Sequence, residues 1–283
     1  MRCAESVLYA IESTGSGLGL ATIFIVDNGS EQAIGPLRDW CAAKHPVPTR
    51  LLENADNLGF AGGMNTGIRH ALPMAPDFVW LLNNDLVVAP DAITRLLLFS
   101  RHNPNAAITG ATVLDPASGL VRTAGGYRYY PWLGLNLPIL AGISRADLAQ
   151  TKVPPPDYVD GAAMWLRGDF ISRLGRIPCH QFMYFEELEL NHCLRGGETI
   201  AWCREAEVSH EGGGSAPTAS GQATATYYAA LGAFTYTRRH HLWYLPTVII
   251  ARLLGISLRA LARRQPGLVT ATLRALRDFP RQV

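Results

Sequence analysis

The sequence predicts an α/β fold, a mostly parallel sheet with helices on both faces. Three observations predict it. Strand-like apolar runs alternate with helix-like runs from Cys3 to Pro104, an order that calls for parallel strands joined by helical crossovers. Two of those runs end on polar residues, Asp27 and Asn83-Asn84-Asp85, and parallel sheets bind ligands at the carboxyl ends of their strands. The composition, 48% apolar with 27 Gly and 18 Pro in 283 residues, suits one sizeable globular domain with or without an appendage and excludes disordered and collagen-like chains.

The elements follow in order. "CAESVLYAIEST" carries Val7, Leu8 and Ile11 at helical spacing. "GSGLG" (Gly15 to Gly19) then connects that helix to a strand; a dinucleotide fingerprint needs the reverse order. "ATIFIVDNGS" is an apolar strand ending on Asp27, "PLRDWCAAKH" is helical, and "RLLEN" is a short strand. "NLGFAGGMNTG" reads as a glycine-rich turn leading to a helix through Arg69, ahead of the strand Phe78 to Leu82. Pro90 suits a first helical turn, Ile93, Leu96 and Leu97 give that helix a buried stripe, and Pro104 stops it. From Ala106 shorter strands ("AAITGATVL", "LVRTAGGYRYY", "GAAMWLRG") mix with proline-rich loops, and after Tyr236 a basic, largely helical tail begins. The predicted division is a main domain over 1–235, with halves 1–105 and 106–235, and a tail over 236–283.

Net charge is +2, from 25 basic and 23 acidic residues, too balanced for a nucleic-acid footprint. Five cysteines without a CxxC pair read as reduced thiols in a cytoplasmic protein, and no signal peptide opens the sequence. Leu242 to Leu258 comes nearest to a membrane span, but Pro246 and Arg252 interrupt it. The tail's Arg252, Arg259, Arg263, Arg264, Arg274 and Arg277 stand among leucines and isoleucines. They fit a basic amphipathic helix at the inner face of an anionic membrane, or helices packed on the main domain with arginines in water.

Four stretches are candidates for chemistry. In "NLGFAGGMNTG", Asn57, Gly59, Gly62, Gly63 and Asn65 offer a closely approachable backbone and two amides, as a ligand loop or as a plain turn. Asn83-Asn84-Asp85 suits an oxygen-ligand site, one or two carboxylates being enough for Mg²⁺ or Mn²⁺ when phosphates complete the shell; it equally suits an Asx turn before the Pro90 helix. Glu186, Glu187 and Glu189 follow an aromatic run. They cap a helix, or, partly desolvated, supply a carboxylate of raised pKa that works as a base. His210 ends a strand and enters "EGGGSA", a structural histidine or a metal ligand beside a glycine lid.

The order of "VDNGS", "NLGFAGGMN", "LLNNDLVV", "DGAAMWLR", "FMYFEELEL" and "SHEGGGS" resembles the family 2 glycosyltransferases, most closely the bacterial rhamnosyltransferase-like branch that builds surface polysaccharides. The resemblance runs from about Cys3 to Tyr244. It implies a GT-A fold, with 1–105 as the nucleotide-sugar half and 106–235 as the acceptor half. It also implies a dTDP- or UDP-sugar donor, a glycan or lipid-linked acceptor, a divalent cation (Mn²⁺ or Mg²⁺) and inversion at the anomeric carbon. By that resemblance Asp27 reads the base, while Asn57, Gly59 and Asn65 belong to the donor loop. Asn83 and Asn84 face the donor, and Asp85 and His210 hold the metal. Glu187, with Glu186 beside it, takes the catalytic position, normally an aspartate. Arg238 matches an arginine that contacts the pyrophosphate. The family opens with a strand in the middle of the sheet, ahead of the helix that starts here. The expectation is that this first strand is missing, either because roughly 15–20 residues are lost to a late start codon or because the protein is degenerate.

That chemistry suits these residue types. The leaving diphosphate gains charge as the glycosidic bond breaks, and at roughly 4 Å and an effective dielectric near 20 each opposite charge pair contributes about 4 kcal/mol. Two alternatives stand beside it: a truncated, non-catalytic nucleotide-sugar binder, and a nucleotidyltransferase, for which no basic glycine-rich triphosphate loop is present.

Overall fold

The structure, a computed structural model, describes residues 1–15, 19–210 and 218–279. Gly17 of the first glycine connection and the lid expected over Glu211 to Ser215 lie outside the described residues. The chain opens with α1 (Arg2–Thr14), β1 (Ile23–Asn28), α2 (Gly35–Ala42), β2 (Thr49–Asn54), α3 (Gly59–Ala71), β3 (Phe78–Leu82), β4 (Leu86–Val88) and α4 (Ala92–His102). It continues through β5 (Ala106–Leu114), β6 (Val121–Ala124), β7 (Gly126–Tyr130), β8 (Leu135–Pro138), α5 (Arg145–Gln150), β9 (Tyr158–Val159), β10 (Ala163–Arg167) and α6 (Gly168–Leu174). It closes with α7 (Glu186–Asn191), β11 (Thr199–His210), α8 (Ala219–His240), α9 (Leu245–Arg263) and α10 (Gly267–Asp278).

Three sheets result. The largest has six strands in the order β3-β10-β5-β11-β4, with β6 also paired to β5. β1 and β2 form a parallel pair, and β8-β7-β9 an antiparallel trio. The main sheet is mixed rather than mostly parallel. β5 and β11 run parallel, but β10 enters between β3 and β5 antiparallel to both. Strand–helix alternation reports only the first half of the chain, and β10 arrives from the second.

The core sits on both faces of that sheet, as the apolar run of β5 requires: every residue from Ala106 to Leu114 is buried. One face packs Val113 and Val208 under Ala10 of α1 and Leu96 of α4. The other packs Ile108, Met164 and Leu166 under Ile68 of α3 and Phe170 of α6. Each fully buried side chain of this kind contributes roughly 1.5–3 kcal/mol. β1 and β3 differ. They are just as apolar, yet Ile23 to Val26 are all half-buried and in β3 only Leu81 is buried. β1 pairs with β2 and β3 with β10, and the two strands line one open cleft of about 1630 Å³. Among the described residues no strand lies between them.

Two other expectations change. "NLGFAGGMNTG" is mostly helix, because α3 starts at Gly59. Its glycines let the helix lie close on β1; a Cβ at Gly63 would stand 3.1 Å from the Asn28 side chain. The boundary expected at 235/236 falls inside α8, which runs unbroken to His240 and packs Leu231 and Phe234 with Val248 of α9 and Ala275 of α10.

Candidate active site

Strand register assembles the site at the carboxyl ends of β1, β3 and β11. β11 pairs antiparallel with β4 so that His210 lies opposite Leu86, the residue after Asp85. This brings His210 Nε2 to 3.1 Å from Asp85 Oδ1. The contact lacks the alignment of a hydrogen bond: Asp85 Oδ1 and His210 Nδ1 are both buried without a hydrogen-bond partner. The imidazole nevertheless holds the Asp85 carboxyl below its ordinary value. A buried carboxylate oxygen without a hydrogen-bond partner, facing the Nε2 of an imidazole, fits a divalent cation placed against both. Two protein donors leave the remaining positions to phosphate oxygens and water, which such cations accept.

β10 pairs Ala163 with Leu82, which sets Asp160 and Gly161 beside Asn83-Asn84-Asp85. Asn83 is tied there by its N–H to Ala162 O at 2.9 Å, and its carbonyl accepts from Cys3 Sγ at 3.2 Å. Asn84 is exposed on the cleft wall.

Opposite stand Glu186 and Glu187, at the start of α7. The two residues before them, Tyr184 and Phe185, have φ of 72° and 73°, a left-handed backbone that costs about 1–3 kcal/mol per non-glycine residue and is found preferentially at functional sites. That turn directs Glu187 into the cleft over Gly161, where a Cβ would come within 1.9 Å of Glu187 Oε1. Burial pushes both carboxyls up: Glu186 to about 7, and Glu187 well above the ordinary range with the Glu186 charge adding to the burial. Glu186 Oε2 is buried without a partner. Glu189 is separate, buried and held by His240 Nε2 at 2.9 Å and Arg239 Nη1 at 3.7 Å.

The remaining expected residues divide. Asp27 lines the cleft at the end of β1, its carboxylate accepting from Ser30 Oγ. Asn57 and Gly59 line it too. Asn57 Oδ1 accepts from the Gly59 N–H at 3.0 Å and from Asn28 Nδ2 at 3.1 Å. Gly59 must be glycine: its φ is +75°, and a Cβ would meet Phe182 O at 2.2 Å. Asn65 stands apart. It is buried, and its amide both donates to Ile177 O (2.9 Å) and accepts from Ile177 N–H (2.8 Å). Arg238 also stands apart, its guanidinium 4.7 Å over the Phe279 ring.

Sequence reasoning assigned no role to three residues that the fold brings in. Asp160 is buried in the cleft wall, accepting from Ala162 N–H at 3.0 Å, Tyr127 OH at 3.3 Å and Thr123 Oγ1 at 3.4 Å; it opens the "DGAAMWLR" stretch, so its signal was present. Asn28 joins Asn54, Asn57, Leu58 and Gly59 through its one amide. Arg122 lines the cleft, with Nη1 3.4 Å from His210 O. Asn28 stands in "VDNGS" and so carried the same kind of signal; nothing local in the sequence marks Arg122.

The glycosyl transferase family 2 profile matches residues 2–145, slightly more than half the chain. Among characterised relatives, the low-salt glycan biosynthesis hexosyltransferase Agl10 of Haloferax volcanii is 26% identical over 198 residues, covering 68% of this chain and 59% of that protein. Galactofuranosyltransferase GlfT1 of Mycolicibacterium smegmatis is 27% identical over 191 residues, 66% of this chain and 60% of that one. The chain thus spans about three-fifths of the length of these relatives. Among solved structures, the mannosyltransferase PcManGT from Pyrobaculum calidifontis, in complex with GDP-Man and Mn²⁺, superposes with a TM-score of 0.53 at 15% identity over 91% of this chain and 77% of that one. GalNAc-T7 with UDP, GalNAc and Mn²⁺ gives 0.54 at 14% identity over 87% and 52%. Both likenesses are to the GT-A arrangement of sheet and helices described above.

Proposed function

The chain belongs to glycosyl transferase family 2 and has a GT-A fold, and from that premise we propose that it is an inverting, cation-dependent glycosyltransferase. It moves a hexose, rhamnose included, from a nucleotide-diphosphate donor (dTDP or UDP) to a hydroxyl of a glycan or lipid-linked saccharide, as in building a cell-surface polysaccharide. The observation that carries this reading is the facing pair Asp85 Oδ1 and His210 Nε2, 3.1 Å apart with the carboxylate oxygen buried and unpartnered, on the same cleft as Glu187.

The residues divide the work. Asp27, with Asn57 and Gly59 behind it, borders the space for the base and ribose at the end of β1. Asn83 and Asn84 face the donor's diphosphate and sugar. Asp85 and His210 would hold Mn²⁺ or Mg²⁺, which supplies charge to stabilise the departing nucleoside diphosphate. Glu187 takes the proton from the acceptor hydroxyl as that oxygen bonds to the anomeric carbon. The bond from that carbon to the phosphate oxygen breaks on the opposite side, and its electron pair leaves with the diphosphate. One displacement inverts the centre. A base needs a pKa near the working pH, and burial beside Glu186 moves Glu187 in that direction.

The test is donor turnover by the purified chain across dTDP-, UDP- and GDP-sugars with Mn²⁺ or Mg²⁺, beside donor-induced thermal shifts. Wild type should hydrolyse or transfer one donor in a cation-dependent way. Glu187→Gln should lower transfer by about 10²–10⁴-fold and keep the donor shift. Donor binding without turnover in wild type would instead mark a non-catalytic binder, and pyrophosphate release from a nucleoside triphosphate would mark a nucleotidyltransferase.

A further inference from the structure

An exposed apolar face joins two elements distant in sequence. On α9, Ile250, Leu254, Leu258 and Leu261 are 57%, 62%, 69% and 79% exposed. Their spacing of four, four and three residues puts them on one helical face. Just before α9, Trp243 is 92% exposed. The turn between β7 and β8 adds Trp132, 49% exposed. Turn and helix are locked together: Thr247 Oγ1 donates to Trp132 O at 2.8 Å, Arg252 Nη2 donates to Gly134 O at 2.5 Å, and a Cβ at Gly134 would stand 2.7 Å from Val248. The two tryptophans and the leucine stripe therefore belong to one rigid unit.

Charge says what covers this face. From Leu242 to Arg277 the sequence has six arginines and no aspartate or glutamate. Arg264, just beyond the end of α9, and Arg259 and Arg263, on the side of α9 away from the stripe, are exposed and form no ion pair among the described residues. Leucines in a row, tryptophans at the margin and a segment whose only charges are arginines match an anionic bilayer: acyl chains, the interface, and negative headgroups that attract the positive segment as a whole. The segment Leu242–Arg263 is long and apolar enough to cross a membrane, with mean hydropathy 1.6. Yet Arg252 at its middle is bonded to the hairpin and Val248 is buried against it, so the helix lies along the protein.

We propose that the α9 stripe and the β7–β8 turn form one docking surface that seats the protein in the plane of an anionic lipid bilayer. Resting on the glycosyl-transfer reading, the same surface also specifies the acceptor. The hairpin whose tip carries Trp132 has Tyr127 and Asn136 on the cleft wall. Three strand steps carry β7 from Tyr127 to its end at Tyr130, roughly 10 Å at 3.4 Å each, and the turn leads on to Trp132. An acceptor whose apolar end stays in the bilayer must present its sugar hydroxyl about that far above the acyl chains, which calls for an amphipathic, lipid-linked saccharide.

The experiment is flotation of the purified chain with vesicles of phosphatidylglycerol and phosphatidylcholine, against phosphatidylcholine alone, while tryptophan emission is followed. The chain should float with the anionic vesicles, with blue-shifted emission and weaker binding at high salt. Leu254→Glu with Leu258→Glu should reduce binding at least tenfold, and Arg259→Gln with Arg263→Gln and Arg264→Gln by about fivefold per arginine. Trp132→Ala should remove part of the blue shift, which reports the turn independently of the helix. Melting temperature and turnover of a water-soluble donor should be unchanged in all these variants, so a failed enzyme assay and a failed docking assay are told apart. Failure to float with either vesicle type would overturn the proposal. So would a lipid-free dimer that buries Trp243, or resistance to carbonate extraction, which marks a spanning helix.

Discussion

Glu186→Gln should remove a pH dependence from the stability of this fold. Glu186 is 3% exposed and Oε2 has no partner, and burial raises its carboxyl from 4.5 to about 7. Between those two pH values the folded chain holds a proton that the unfolded chain has released. Stability therefore falls as pH rises through that window and stays lower above it. At 1.36 kcal/mol per pH unit the loss is about 3 kcal/mol. Glutamine carries no charge and escapes it. Its buried amide costs up to about 1–3 kcal/mol where it finds no partner, but that cost is the same at every pH.

The quantity to measure is the difference in unfolding free energy between variant and wild type, by urea denaturation from pH 4.5 to pH 8. It should move in the variant's favour by about 3 kcal/mol, or roughly 6 °C in melting temperature for a chain of this size. A difference that stays flat across the range would mean that Glu186 ionises as freely in the fold as out of it, and the reasoning would fail. Activity gives a second readout. The Glu186 charge helps to raise Glu187, so the acid limb of kcat/KM should shift to lower pH in the variant.

Three further outcomes follow from the geometry. Gly161→Ala puts a methyl where Glu187 Oε1 now lies, 1.9 Å away; transfer should fall by about 10²-fold or more with donor affinity kept, read as a kcat effect in steady-state kinetics. Asn65→Ala should cost roughly 2–4 kcal/mol in urea denaturation, because both the N–H and the carbonyl of Ile177 lose their partner inside the core. In hydrogen exchange, the amides of β1 and β3 that point into the cleft should exchange faster than those of β5, and a bound donor should slow them.

Much of this was legible before any coordinate. The run Phe78 to Leu82 ending on Asn83-Asn84-Asp85, and "FMYFEELEL" with its acids after aromatics, marked both walls of the cleft, because a buried strand or aromatic cluster rarely ends on clustered polar groups without a ligand or a cap. Pairing is legible only where the resemblance supplies it, as for Asp85 with His210. That the two meet follows from the β11–β4 register, which joins positions more than a hundred residues apart, and that Asp160 stands beside them, a placement nothing in the sequence indicates, follows from β10 entering antiparallel between β3 and β5. "NLGFAGGMNTG" misled because glycines that look like a turn serve helix-to-strand contact instead. Asn65 misled because a buried amide and a ligand-binding amide look alike in a sequence; only its partner, Ile177, tells them apart.

The split in the sheet explains why the site is built in two unequal parts. Asp85, His210 and Asp160 stand on or against the six-stranded sheet, whose register fixes them whatever happens elsewhere, and Glu187 reaches over them from α7. Asp27 and Asn57 stand on the β1–β2 unit, and between β1 and β3 lies the open cleft rather than a ladder of hydrogen bonds. What binds the two parts is α3, packed on β1 through Gly63 and Gly67, pinned at its start to Phe182 and along its length to Ile177. Phe182 lies five residues before Glu187, so the segment that aims the proposed base is the one that seats the donor loop. A displacement of β1–β2 is therefore felt through Gly59 and Phe182 at Glu187, while Asp85 and His210 keep their places. On the proposed reading, donor affinity and proton removal are coupled along that path, whereas the proposed cation pair depends on strand register alone.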